Sequence, residues 1–256
     1  MPSSPTRTDP MPLDAETPDE AVPNSGSAVA PRGERKAPRR TAERILDHSL
    51  ALFNRYGEPH VSTTVIAAEL RISPGNLYYH FPAKEALVNA LVDRYERALD
   101  ATLAEAGDPT DAVCAWRLVP ALLRLGWDYR FIFRDLNDLL TRNRQLETRC
   151  QAALARQTAA IRARVGPLCR LDGQPLDAEG ADALATSIVV LLTYWLSYEY
   201  VRAPRQALEP ANADAAISRG TRQAMALLWP YLRAEHRGML KGADTVALAD
   251  QPFPPR

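Results

Sequence analysis

Ile72-Ser73-Pro74-Gly75-Asn76-Leu77-Tyr78-Tyr79-His80-Phe81-Pro82-Ala83-Lys84 is the stretch from which the rest of this 256-residue chain is read. Ser73 suits a helix N-cap, and Pro74 suits the first helical position, where no backbone donor is needed. Pro82 turns Phe81 away from the helical region, so the stretch predicts a helix of about two turns over 74–80. Asn76, Tyr78, Tyr79 and His80 crowd polar and aromatic tips onto it. Gly75 adds no side chain, which lets its first turn approach another surface. The free N–H groups there favour an anion such as phosphate. A helix that only packed would not need so many polar tips.

The segment upstream predicts its partner. Ser62-Thr63-Thr64-Val65-Ile66-Ala67-Ala68-Glu69-Leu70 opens on a capping serine and carries Val65, Ile66 and Leu70 at helical spacing. Arg71-Ile72-Ser73 then forms a turn of about three residues, the span of a helix-turn-helix. A first helix is expected over 41–56 from Ile45, Leu46, Ser49, Leu52, Phe53 and Tyr56, closed by Gly57. A fourth helix begins at Ala83.

Residues 41–87 resemble the DNA-binding domain of the TetR (tetracycline-repressor) family of bacterial regulators. The resemblance rests on Ile45-Leu46, Phe53, Gly57, Ile66-Ala67, Ile72-Ser73, Leu77-Tyr78-Tyr79-His80-Phe81 and Lys84-Glu85-Ala86-Leu87. It covers less than a fifth of the chain. Two positions depart from the family: Arg71 stands where it has glycine, and Ala83 stands where it has a capping residue. The resemblance implies an all-α chain with an N-terminal three-helix DNA-binding domain (39–84) and a C-terminal helical bundle for ligand binding and dimerisation (85–237). It implies a homodimeric, ligand-responsive repressor on a palindromic operator. In that reading Asn76 meets a base edge, since asparagine pairs bidentately with adenine. Thr63, Thr64, Tyr78, His80 and Lys84 hold phosphates. Tyr79 does either or packs, and Ser62, Pro74 and Gly75 complete the DNA-binding set.

Charge distribution agrees with this location. Lysine and arginine number 31 and acids 31, for a net charge of zero. Residues 32–84 hold nine basic residues against five acids, whereas residues 1–31 hold one against five. The positive excess thus coincides with the helix-turn-helix, as phosphate contact requires. Cys114, Cys150 and Cys169 lack disulfide or zinc spacing and suggest idle thiols in a reducing cytoplasm. His48, His60, His80 and His236 lack metal spacing. No phosphate loop, nucleotide fingerprint or nucleophile elbow occurs, so no cofactor, metal or catalytic role is expected. No secretory signal is evident, and the longest apolar run, Ile188–Leu196, is too short to span a bilayer.

Residues 1–38 read as a disordered tail, with eight prolines and no aromatic side chain. Arg32–Arg40 is either a solvated segment or an arm along DNA. A long helix is expected from Ala83 to about Glu105, followed by helices near 110–125, 127–141, 143–165, 178–202 and 211–236. Gly166-Pro167 and Asp172-Gly173 mark a loop, and residues 238–256 read as a flexible tail. Arg130 and Arg134 are expected to share Asp135 or Asp138. An effector pocket is expected among Trp116, Trp127, Phe131, Tyr194, Trp195 and Tyr198, with Tyr129 and Phe133 in the same aromatic set. The dimer is expected to form through the last two helices, on faces carrying Ala181, Leu184, Ala185, Ile188, Leu191, Leu192 and Trp195, and Ile217, Gly220, Thr221, Ala224, Leu228 and Tyr231. The competing readings are an activator or constitutive DNA binder of the same fold, and a helical carrier without DNA binding.

Overall fold

The computed structural model describes residues 36–242, with side chains over 39–240. The tails expected over 1–38 and 238–256 lie mostly outside the described residues. Where they overlap, the chain is helical: the first helix begins at Lys36, and the last runs to Gly242 with Leu240 buried. Among the described residues there are eleven α-helices and one two-stranded hairpin.

Three helices form the N-terminal module: α1 (Lys36–Tyr56), α2 (Thr63–Glu69) and α3 (Pro74–His80). Ile45, Leu46 and Phe53 of α1 pack with Ile66 and Leu77 in its core. Ser49 is buried among them because its hydroxyl donates to the Ile45 carbonyl at 2.7 Å. Val65 faces solvent, since Ile66 and Ala67 take the inner side of so short a helix. Gly57 ends α1 with φ +90°, its N–H donating to the Phe53 carbonyl at 2.9 Å. A Cβ there would strike the Arg134 guanidinium.

α4 (Lys84–Glu105) leads out of the module and buries Leu87, Leu91, Tyr95 and Leu99. α5 (Ala112–Asp128), α6 (Arg130–Arg134), α7 (Leu136–Arg142) and α8 (Arg144–Leu168) follow. The single helix expected over 127–141 is therefore two short ones, broken at Tyr129 and Asp135 where the backbone leaves helical geometry. Asn54 of α1 takes up groups freed at the first break. Its Oδ1 accepts from the Phe131 N–H at 3.0 Å, and its Nδ2 donates to the Asp128 carbonyl at 2.8 Å. Such breaks persist where a partner satisfies the orphaned backbone groups.

Gly166-Pro167 lies in the last turn of α8, not in a loop. Asp172-Gly173 is the two-residue turn of a hairpin between β1 (Arg170–Leu171) and β2 (Gln174–Pro175). Both turn residues have positive φ, 51° and 79°. That geometry matches the twist of paired strands, which is why Asp-Gly favours it. α9 (Ala178–Arg202) then packs along α8, and α10 (Ala213–Leu228) packs on α5 and α9. The helix expected over 211–236 stops before Pro230, and α11 (Ala234–Gly242) starts afresh. Arg149 and Arg156 of α8 pair with Asp93, Glu96 and Asp100 of α4, lacing those two helices together.

Candidate nucleic-acid interface

The turn between α2 and α3 closes with two hydrogen bonds, from Arg71 N–H to the Ala68 carbonyl and from Ile72 N–H to the Ala67 carbonyl, both 3.0 Å. This is the Schellman pattern, in which the residue after the C-cap takes a left-handed conformation. Arg71 does so with φ 55°, although glycine is the residue that adopts it without strain. Ser62 and Ser73 cap α2 and α3, accepting from Val65 N–H at 3.3 Å and Asn76 N–H at 3.1 Å. Ala83 precedes α4 with no side-chain cap.

Leu77 anchors α3 in the module, and its other face is open. Pro74, Gly75, Asn76, Tyr78 and Tyr79 are exposed, Tyr79 at 79%. His80 is half-buried beside the Tyr79 ring, centroids 5.1 Å apart. A Cβ on Gly75 would meet only the Ser73 hydroxyl, at 3.9 Å. Nothing within the protomer demands a glycine there. Thr63 and Tyr78 join their hydroxyls at 3.0 Å, and Ser62 and Thr64 at 2.7 Å. With His60, Ala83 and Lys84, the hydroxyls of Ser62, Thr63 and Tyr78 border an open cleft of about 480 Å³.

Lys84, expected to hold a phosphate, is engaged within the protomer. Its ammonium lies 3.0 Å from Glu58 Oε1 and donates to the Glu58 carbonyl at 2.6 Å. Glu58 is 3% exposed and also accepts from Arg142 of α7 at 2.9 Å. Its own N–H donates to Asp135 Oδ2 at 2.9 Å, and Arg134 donates to the Tyr56 carbonyl at 2.9 Å. Phe53 and Phe131 stack across the same boundary, 5.5 Å between centroids. The module is thus fastened to α6 and α7 by Asn54, Glu58 and Phe53. Sequence reasoning missed Glu58 and His60, for which spacing alone carried no signal. Arg134 meets Asp135 as expected, its Nε 3.6 Å from Oδ1, but Arg130 shares neither acid: it lies over the Trp127 ring at 5.0 Å, while Asp138 pairs with Arg142.

A cavity of about 390 Å³ opens in the helical bundle between α4, α6–α7, α8 and α9. Tyr95, Phe133, Leu136, Cys150, Gln157 and Thr193 are among its walls. Of the six aromatics expected to line a pocket, Tyr194 borders it, and Tyr194, Trp195 and Tyr198 together border a more open groove of about 400 Å³ between α9 and α10. Trp116 borders a separate cavity of about 40 Å³. Trp127 is buried under Arg130, Phe131 packs on Phe53, and Trp195 donates to the Ala216 carbonyl at 2.8 Å. Tyr198 is exposed. Helical spacing identified these rings as apolar but not which side of each helix a void would occupy.

The faces expected to meet a second subunit prove largely internal. Ala181, Leu184, Ala185, Ile188, Leu192, Trp195, Ile217, Gly220, Thr221 and Ala224 are buried in the protomer, with Leu191, Leu228 and Tyr231 partly so. Gly220 admits Trp195, whose Nε1 would lie 2.8 Å from an added Cβ. The small residues therefore allow close approach within one chain. The opposite side of α9 exposes Val190, Tyr194, Tyr198 and Val201, a stripe of apolar and aromatic groups at helical spacing. α9 is apolar enough by length and composition to cross a membrane, but half of that stretch is buried in the protein. Among the described residues no cluster of metal-ligating side chains forms.

Comparison with known proteins agrees with this architecture. Residues 45–91 match the family model described as bacterial regulatory proteins, tetR family, and residues 94–240 match the TetR model described as bacterial transcriptional repressor. The HTH-type transcriptional regulator UidR of Escherichia coli K12 is 43% identical over 60 residues, 23% of this chain and 31% of that protein. The chain thus spans about a third of the length of the curated relatives it matches. A TetR-family transcriptional regulator from Marinobacter aquaeolei VT8 superposes with a TM-score of 0.68 at 28% identity, covering 84% of this chain and 99% of that one. A gamma-butyrolactone receptor (ArpA-like protein) shares the fold at 20% identity and a TM-score of 0.57, over 83% and 96%. A helix-turn-helix built on caps and an exposed recognition face, joined to a helical domain matched over its length, has one assignment: the chain belongs to the TetR family of DNA-binding bacterial transcriptional regulators.

Proposed function

We propose that the chain works as a cytoplasmic homodimeric repressor that grips a two-fold operator and releases it when an effector fills the cavity beside α6 and α7. Residues 39–84 act as the reading head and residues 85–237 as the regulatory and dimerisation domain. α3 enters the major groove, with Asn76 on a base edge. Ser62, Thr63, Thr64, Tyr78 and His80 hold phosphates around the cleft, and Pro74 and Gly75 admit the backbone. Lys84 joins them when DNA draws it from Glu58.

One observation carries the reading: α6 and α7 serve the cavity and the head at once. Ile132, Phe133 and Leu136 border the cavity. Phe131, Arg134 and Arg142, on the same two helices, and Asp135 at the break between them hold α1 and the segment around Glu58. A guest that shifts α6–α7 therefore shifts the head, because packed elements move as units. Two heads can match a two-fold site only in a two-fold protein, and the exposed apolar stripe on α9 is the surface on which a second copy would pack.

The test pairs sedimentation with a salt-dependent gel shift on DNA from upstream of the protein's own gene. We expect a dimer of 28.3 kDa subunits whose affinity falls steeply with salt. A monomer at micromolar concentration, or affinity indifferent to salt, overturns the reading.

A further inference from the structure

If the cavity between α4, α6–α7, α8 and α9 is the effector site, its walls restrict what the effector is. The deep lining is apolar, from Ile132, Phe133, Leu136, Ala153 and Val189, and no basic side chain borders it. Glu147 is the one acid on its walls and is exposed at the mouth. The nearby Arg149 and Arg156 do not reach in, being paired with Asp93, Glu96 and Asp100. Burial raises the pKa of the Tyr95 phenol and pushes the Cys150 thiol up to about 11, so both stay neutral in the cell's pH range. An anionic guest would lose its hydration with no opposite charge to meet it, and a cationic one would meet only Glu147 at the solvent-exposed mouth.

Two polar groups remain with unused capacity. Gln157 is 6% exposed, and its Nε2 donates to the Tyr95 hydroxyl at 3.4 Å. Among the described residues neither Gln157 Oε1 nor the Tyr95 O–H proton has another partner. If the amide is turned the other way, the pair still leaves one donor and one acceptor. The Tyr95 ring is fixed edge-on against Tyr129 and Phe133, at 5.6 and 5.8 Å between centroids. Tyr95 and Gln157 both border the cavity, within reach of a guest's polar end. The volume, about 390 Å³, suits a small organic molecule.

We infer that the effector is uncharged and chiefly apolar, and that a single hydroxyl-like end exchanges hydrogen bonds with Tyr95 and Gln157. This rests on the effector reading above but is testable apart from it.

The experiment titrates the full chain calorimetrically with three probes on one skeleton: decanol, decanoate and decylammonium. Decanol is expected to bind at least tenfold more tightly than either ion. Tyr95→Phe with Gln157→Leu keeps the shape and removes the polar pair, so decanol affinity should fall about tenfold while the melting temperature stays close to that of the parent. Binding of decanoate or decylammonium as tight as decanol overturns the inference. Failure of all three to bind overturns it as well, as does an unchanged decanol affinity in a folded double variant. DNA affinity measured with bound decanol separates the two claims. Selective decanol binding that leaves DNA affinity unmoved supports the ligand class and counts against induction.

Discussion

The reading head and the helical bundle are built from similar helices, yet they store their information differently. In the head, each short helix begins at its own capping serine, and α2 ends in a hydrogen-bonded turn at Arg71. Leu77 faces in, while Asn76 and Tyr79 face out. A reader of residues can therefore assign roles one by one. In the bundle, α9 is apolar on both sides: Ala185 and Ile188 are fully buried, while Val190 and Tyr194 are half exposed. Apolar spacing there says that a helix is packed, but not against what. Local chemistry is written in the chain, whereas the choice between two apolar faces is made by neighbours distant in sequence.

The sharpest way to break that comparison is to put a charge on each side of the paired C-terminal helices. Ala224→Arg buries an unpaired guanidinium in the protomer core and should cost more than about 4 kcal/mol, leaving little folded protein. Val190→Arg lies on the outer stripe and should leave helix content by circular dichroism unchanged, yet sediment as monomer and bind operator poorly. A monomeric, folded Ala224→Arg would reverse the assignment of the two faces.

The same contrast explains what could be read beforehand. The three-helix head, its turn and its outward residues were legible because Ser62, Ser73, Pro74 and Gly57 act within a few residues of themselves. The break at Tyr129 was not, because it depends on Asn54, more than seventy residues away in the chain. Lys84 looked free for phosphate because nothing nearby in sequence announces Glu58 as its partner. The cavity escaped for the same reason: Tyr95, Phe133 and Gln157 converge from three separate helices.

Within the head, base reading and positioning should separate. Asn76→Ala should cost about 1–3 kcal/mol on the operator, relax preference at one position per half-site, and leave the salt slope nearly unchanged. Titrations against operator and scrambled duplex at several salt concentrations check this. Equal loss on both duplexes removes Asn76 from the base-reading role.

At the seam between the two regions, Glu58→Gln tests the latch. Lys84 and Arg142 are partly exposed, so the loss should be about 1–2 kcal/mol of stability rather than the larger cost of stranding a fully buried charge. Lys84, freed from its carboxylate, should raise the salt slope on non-specific DNA by about one per subunit. A lower melting temperature with no change in slope would leave Glu58 a fastening alone.

The smallest expected effect concerns Arg71. A left-handed conformation costs an ordinary residue about 1–2 kcal/mol, and glycine returns about 0.5–1 kcal/mol of that through its freer unfolded chain. Arg71→Gly should therefore stabilise the protein by under about 1 kcal/mol, a rise of roughly 1–4 °C in melting temperature for a chain of this size. The Arg71 guanidinium is exposed and has no partner among the described residues. Strain kept without internal compensation points to a use at the surface, and the surface here adjoins α3. The stabilised variant should accordingly bind non-specific duplex less well, with a salt slope lower by about one per subunit. A variant that melts higher and binds DNA as before would make Arg71 a strained turn and nothing more. One that melts lower would mean that the arginine contributes to the fold itself, and that the head is less locally specified than its caps suggest.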